Sequence, residues 1–189
     1  LIIDEIDKNY GFLTKDDLLK YKAIWREPSH FNYNGLDILT TPPPSSGSLV
    51  FSGLEALTLE NKSHSAHQLL ADAMLKMFSK RRRNFGDPAF TSIETASESP
   101  ETTSLCTIDS AGNAACLTYS NNNHSGVVIP DTGILMNNEM DDFSIKPGYP
   151  NMYGLIGGYI NSIEPEKRML SSMTPTIIEH NGELSMVLG

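Results

Sequence analysis

The hydrophobic period of this chain changes once, and that change restricts the fold more than any other feature. Between about Ser65 and Arg82 the residues Leu69, Leu70, Ala73, Met74, Met77 and Phe78 recur at helical spacing, a stripe that predicts core packing. After the helix breaker Gly86-Asp87-Pro88, residues 91–101 are rich in Ser, Thr, Glu and Pro and read as an exposed acidic linker. Beyond it the pattern turns to strands. They are expected at Thr103–Ile108 and Ala114–Ser120 around an Asp109–Asn113 turn, at Gly133–Met136 and Thr176–Ile178, and at Leu184–Leu188 after Asn181-Gly182. Residues 1–90 read as helices and loops. Thr14-Lys15-Asp16-Asp17 predicts a capping box opening a short helix through Tyr21. Pro42 to Gly47 cannot be helical and predicts a rigid extended turn, followed by a helix with Leu49, Val50, Leu54 and Leu57 on one side.

At 189 residues the chain fits one domain with a sizeable core. Its 14 Lys and Arg against 23 Asp and Glu, net −9, argue against a nucleic-acid partner, which needs a basic face. The basic cluster Lys80 to Arg83 reads as the solvated last turn of the helix, where the dipole favours cations. No apolar run approaches the roughly 20 residues of a membrane span, and Leu1-Ile2-Ile3 running into Asp4-Glu5 is not a secretory signal. Without Met at position 1, the chain is expected to start inside a longer protein. Cys106 and Cys116 flank the Asp109–Asn113 turn and can meet in space, but buried free thiols are the expected state; two cysteines cannot form a cysteine-based zinc site. None of the five histidines lies in a metal-binding or G-x-S-x-G context, and His64 with His67 reads as a solvated helix start.

Chemistry therefore has to come from hydroxyls, amides and carboxylates. They concentrate in Glu101-Thr102-Thr103-Ser104, Thr118 to Asn123, Asn137 to Phe143 and Leu170 to Met173. A Thr that begins a strand after a cleavable linker suits one mechanism. If the Glu101–Thr102 bond is cut, Thr102 carries both a nucleophilic hydroxyl and an α-amino base, whose ordinary pKa of about 7.7–8.0 leaves a useful unprotonated fraction. By composition alone, the same residues describe a plain strand with two threonines.

Several runs together carry a resemblance. Thr102 through Gly126, Leu135-Met-Asn-Asn-Glu-Met-Asp-Asp-Phe143, Lys146-Pro147-Gly148, Tyr153-Gly154-Leu155, Gly157-Gly158 and Lys167 through Met173 resemble the small subunit of γ-glutamyltranspeptidases. Leu13 to Leu18, Pro42 to Gly47 and Gly86-Asp87-Pro88 resemble the preceding part of the same family. The resemblance implies an α+β fold, the four-layer αββα sandwich of N-terminal-nucleophile hydrolases, seen as a partial chain. Residues 1–101, with linker 91–101, would end the large-subunit region. Residues 102–189 would begin the small-subunit catalytic region, both halves of one domain.

Position by position, the resemblance makes Thr102 the nucleophile, cutting Glu101–Thr102 and then attacking γ-glutamyl amides such as glutathione, with transfer to water, amino acids or peptides. Thr103 and Ser120 would set hydroxyls near it. Asn122, Glu139 and Asp142 would hold the substrate ammonium group, which needs acceptors and negative charge. Ser171 and Ser172 would bind its carboxylate. Tyr153 would tip a lid within the long loop Ile145–Gly158. No metal or organic cofactor is implied, and the partners are the substrate and the rest of the protein's own two subunits. A secreted, periplasmic or membrane-associated extracellular location follows from the family. Because the family's oxyanion glycines and carboxylate-binding arginine fall outside this stretch, the 189 residues alone are expected to be inactive. Two other readings stand beside this one. Ser120, where the family usually has Thr, fits an uncleaved binding or regulatory homologue; a poly-γ-glutamate hydrolase would differ on the acceptor side.

Overall fold

A computed structural model describes residues 1–59, 65–84, 102–151 and 156–189. The first elements, α1 (Ile2–Lys8) and α2 (Lys15–Lys20), are short. The predicted capping box opens α2: Thr14 Oγ1 accepts the Asp17 N–H at 3.2 Å, and the Asp17 carboxylate accepts the Thr14 N–H at 2.8 Å. Next come β1 (Ser29–Tyr33) and β2 (Leu36–Thr40), an antiparallel hairpin that corrects the reading of residues 1–90 as helices and loops. Asn34 and Gly35 turn it with φ of 52° and 84°. That Asn-Gly pair is the strongest short hairpin signal a sequence carries.

After the proline turn, α3 (Gly47–Leu59) packs against α4 (Ala66–Asn84). The predicted stripe on α4 is narrower than expected. Ala73 is buried and Met77 packs on Leu49 and Leu170, whereas Leu70 and Met74 are 50% and 44% exposed.

The later strands follow the predicted order: β3 (Thr102–Ile108), β4 (Ala114–Ser120), β5 (Val128–Ile129), β6 (Ile134–Leu135), β7 (Thr176–His180) and β8 (Glu183–Leu188). The short β5, which pairs with β6, was not expected. One antiparallel sheet runs β1-β2-β7-β8, so residues from both ends of the chain share it. Phe31, Ile38 and Ile178 align across this sheet, and Phe31 meets Phe51 of α3 with ring centroids 4.6 Å apart. The chain is thus α+β, with α3 of the helix pair packed against one sheet.

A separate hairpin, β3–β4, lies against β7 and β8. Its turn is closed by Asp109 N–H to the Asn113 carbonyl at 3.0 Å and Gly112 N–H to the Asp109 carbonyl at 3.1 Å, with Gly112 at φ 84°. Hydrogen bonds from the Asn113 side chain and backbone hold the Asp109 carboxyl below the usual carboxylate range, so this brace is lost only as pH falls through that lowered value. The expectation of buried thiols is corrected here. Cys106 is exposed, as β3 is along its whole length, and Cys116 is half-buried on β4, where half-buried and exposed residues alternate.

Gly47 begins α3 where a methyl group would collide with the Thr41 carbonyl oxygen and the Thr40 side chain. Gly47→Ala, which in an open helix gains up to about 1 kcal/mol, should instead cost about 1–3 kcal/mol through overpacking. Urea unfolding of the full-length protein checks this; unchanged or raised stability would show that the loop yields.

Candidate active site

Register places the first site residue. Thr102 opens β3 directly opposite Ser120, the last residue of β4, so both side chains share one face of the hairpin. Alternation puts Thr103 on the other face, opposite Tyr119. Thr102 is exposed and Ser120 half-buried.

From Ser120 a chain of hydrogen bonds leads inward. Ser120 Oγ accepts the Asn122 N–H at 2.9 Å. Asn122 is fully buried and stands at φ 53°, a left-handed conformation that asparagine tolerates better than most residues. Its side-chain amide donates to the Asn138 carbonyl at 3.1 Å, and the Asn138 N–H returns to the Asn121 carbonyl at 3.0 Å. Asn137 Oδ1 accepts the Glu139 N–H at 3.1 Å, opening the 3₁₀ turn Glu139–Asp142. This turn carries the negative charge. Asp142 is 6% exposed. Glu139 Oε1 and Asp141 Oδ2 are buried without a hydrogen-bond donor among the described residues. A buried carboxylate oxygen left unsatisfied is costly, and a bound cation removes that cost.

The other end of the turn is fixed by Asn161, which the sequence reading did not single out. Asn161 is 4% exposed; its amide donates to the Asp142 carbonyl at 2.6 Å and its Oδ1 accepts the Leu170 N–H at 3.2 Å. The Asn161 carbonyl accepts the Ser144 N–H at 2.8 Å. Leu170, fully buried against Leu49 and Met77, anchors the Leu-Ser-Ser-Met run to the helices. The proline turn then fixes Ser171: its N–H donates to the Pro44 carbonyl at 2.8 Å, and Ser46 Oγ donates to its carbonyl at 2.6 Å. Ser45 Oγ donates to the Met173 carbonyl, and Ser171 Oγ accepts the Met173 N–H at 3.2 Å. Ser172 is half-buried beside it.

Thr102, Ser120, Asn122, Glu139, Asp142, Ser171 and Ser172 therefore lie on one connected framework, with Thr103 turned away from it. Glu101 and Tyr153 fall outside the described residues, as do His64, Gly86-Asp87-Pro88 and the 91–101 linker. Among the described residues, no three His, Cys, Asp or Glu side chains converge to hold a metal ion.

A family model described as gamma-glutamyltranspeptidase matches residues 1–99 and 91–189. The glutathione hydrolase proenzyme of Escherichia coli (strain K12) is 35% identical over 230 residues, covering 100% of this chain and 40% of that protein. The Pseudomonas aeruginosa glutathione hydrolase proenzyme is 34% identical, covering 100% of this chain and 41% of that protein. The chain thus spans about two-fifths of the length of these relatives. The crystal structure of cephalosporin acylase from Bacillus halodurans aligns with a TM-score of 0.77 and 25% identity, over 98% of this chain and 39% of that one.

Replacing Asn161 with Ala removes both ends of its bridge. Leaving the Leu170 N–H unsatisfied in a buried place should cost about 1–3 kcal/mol, read as a lower urea midpoint for the full-length protein. Asn161→Asp, which sets a buried carboxylate oxygen against the Asp142 carbonyl, should lose at least as much as Asn161→Ala. Equal, negligible losses would remove Asn161 from this role.

Proposed function

The chain belongs to the γ-glutamyltranspeptidase family, and from that premise we propose that the full-length protein transfers the γ-glutamyl group of glutathione or another γ-glutamyl amide to water, an amino acid or a peptide. Maturation comes first. Thr102 Oγ attacks the Glu101 carbonyl carbon, the peptide bond breaks as an ester forms, and water then cleaves the ester. Glu101 is left with a carboxylate and Thr102 with a free amine. The name proenzyme, carried by the E. coli and P. aeruginosa relatives, supports such a step. Residues 1–101 and 102–189 then act as two chains of one domain. The sheet supports this, since β2 pairs with β7 across the cut.

In turnover the Thr102 amine takes the hydroxyl proton as Oγ attacks the γ-carbonyl, and returns it to the departing amine. Ser120, facing Thr102 across the strands, orients it, and Thr103 supports it from the backbone. Glu139 and Asp142, with Asn122 behind them, receive the substrate ammonium; Ser171 and Ser172 receive its carboxylate. Tyr153 tips a lid over the bound glutamate. The remainder of the two subunits completes the site, and we place the protein outside the cytoplasm. Among the described residues no helix is long and apolar enough to cross a membrane.

One observation carries this reading: Thr102 faces Ser120, from which hydrogen bonds lead to a turn where Glu139 Oε1 is buried without a donor. Denaturing gels and intact mass of the full-length protein test it. Wild type should split between Glu101 and Thr102, whereas Thr102→Ala should stay one chain and turn over no γ-glutamyl amide. If Thr102→Ala is cut at the same bond, an external protease does the cutting. Glu139→Gln should mature normally, yet raise KM about 10- to 100-fold, the equivalent of losing a charge-assisted hydrogen bond of about 1.5–3 kcal/mol. An unchanged KM would remove Glu139 from the ammonium site.

A further inference from the structure

The hairpin that carries Thr102 also carries both cysteines, and the register sets them face to face. Cys106 pairs with Cys116 across β3 and β4, with the two sulfurs 2.9 Å apart and both thiols free. Counting outward from the hydrogen-bonded Asp109–Asn113 pair, hydrogen-bonded and non-hydrogen-bonded positions alternate, so Cys106–Cys116 falls on a non-hydrogen-bonded position. There the Cα atoms of an antiparallel pair stand about 4.5 Å apart, inside the roughly 4.4–6.8 Å window of disulfides. No backbone movement is needed to join them.

We infer that Cys106 and Cys116 are a disulfide-forming site that staples the strand of Thr102 to β4. The oxidant is a small-molecule disulfide. Exposed Cys106 attacks one of its sulfurs as thiolate, expelling one small thiol and leaving a mixed disulfide. Cys116 then gives up its proton and attacks the Cys106 sulfur, expelling the second small thiol. Two protein thiols and one small disulfide become one protein disulfide and two small thiols. Cys116 is the second to react because it is half-buried, and burial together with its Cys106 neighbour pushes its thiol pKa up.

Oxidation also removes the proton that Cys116 Sγ donates to the Leu188 carbonyl at 2.9 Å, exchanging a hydrogen bond to β8 for a covalent bond within the hairpin. The staple has one consequence that rests on the proposed cleavage. Once cut, β3 starts the second chain, and new chain ends fray. Cys106 lies four residues from Thr102 on the same face, so a cross-link there limits the fraying to the catalytic end.

The test uses the full-length protein and hydroxyethyl disulfide, which has no γ-glutamyl group to be consumed. After oxidation, remaining thiols are alkylated in denaturant and the chain is cut before Asp109, which separates the two cysteines in sequence. The expected result is a pair of peptides joined through Cys106 and Cys116, unalkylated and released by reductant. The oxidised wild type should also melt several degrees higher than the reduced form, a shift absent in Cys106→Ser. Alkylation of both cysteines, persistent mixed disulfides, or links only between separate copies would each overturn the assignment. None of these readouts depends on transferase activity, so the inference and the proposed function can fail separately.

Discussion

The buried amide of Asn161 holds together two segments that the chain keeps well apart. It donates to the Asp142 carbonyl and accepts from the Leu170 N–H, so the acidic turn and the Leu-Ser-Ser-Met run are fixed by one side chain. At 4% exposure these bonds have almost no competition from water. The consequence is geometric: the acidic turn and the Leu-Ser-Ser-Met run keep a constant separation, which the proposed recognition of an amino-acid head would use.

The same economy governs the join between the two halves. Residues 40–46 satisfy the backbone of residues 171–175 through Thr40, Thr41, Ser45 and Ser46, and β2 pairs along β7. These contacts run between segments on either side of the Glu101–Thr102 bond. Cutting that bond removes no hydrogen bond among them, so a chain processed there keeps its sheet while gaining a free end at β3. The proline turn, rigid by composition, thus serves the second half of the chain more than the first.

Most of the fold was legible because its signals are local. The Thr14 box, the helix after Gly47 and the Asp109–Asn113 turn each rest on residues within a few positions of one another. The β1–β2 hairpin is equally local, marked by Asn34-Gly35, although hydrophobic patterning alone reads residues 1–90 as helices and loops. The site divides differently. Thr102 and the acidic run were read from a family resemblance and not from periodicity, since a threonine at a strand start and a carboxylate in a turn are common. Asn161 has no local signal at all: its partners lie 19 and 9 residues away, and only the folded chain shows them. Thr103, set beside Thr102 by the same resemblance, stands opposite Tyr119 on the other face of the hairpin, because strand alternation turns adjacent side chains to opposite faces.

The central claim is that Thr102 is the residue acylated during turnover. The most direct measurement is to quench the processed full-length protein with acid during turnover of a γ-glutamyl amide and map its peptides by mass. One γ-glutamyl group is expected on the peptide that begins at Thr102, attached as an ester and removed by hydroxylamine. A γ-glutamyl group on Ser120, Ser104 or any other side chain, with Thr102 unmodified, would contradict it.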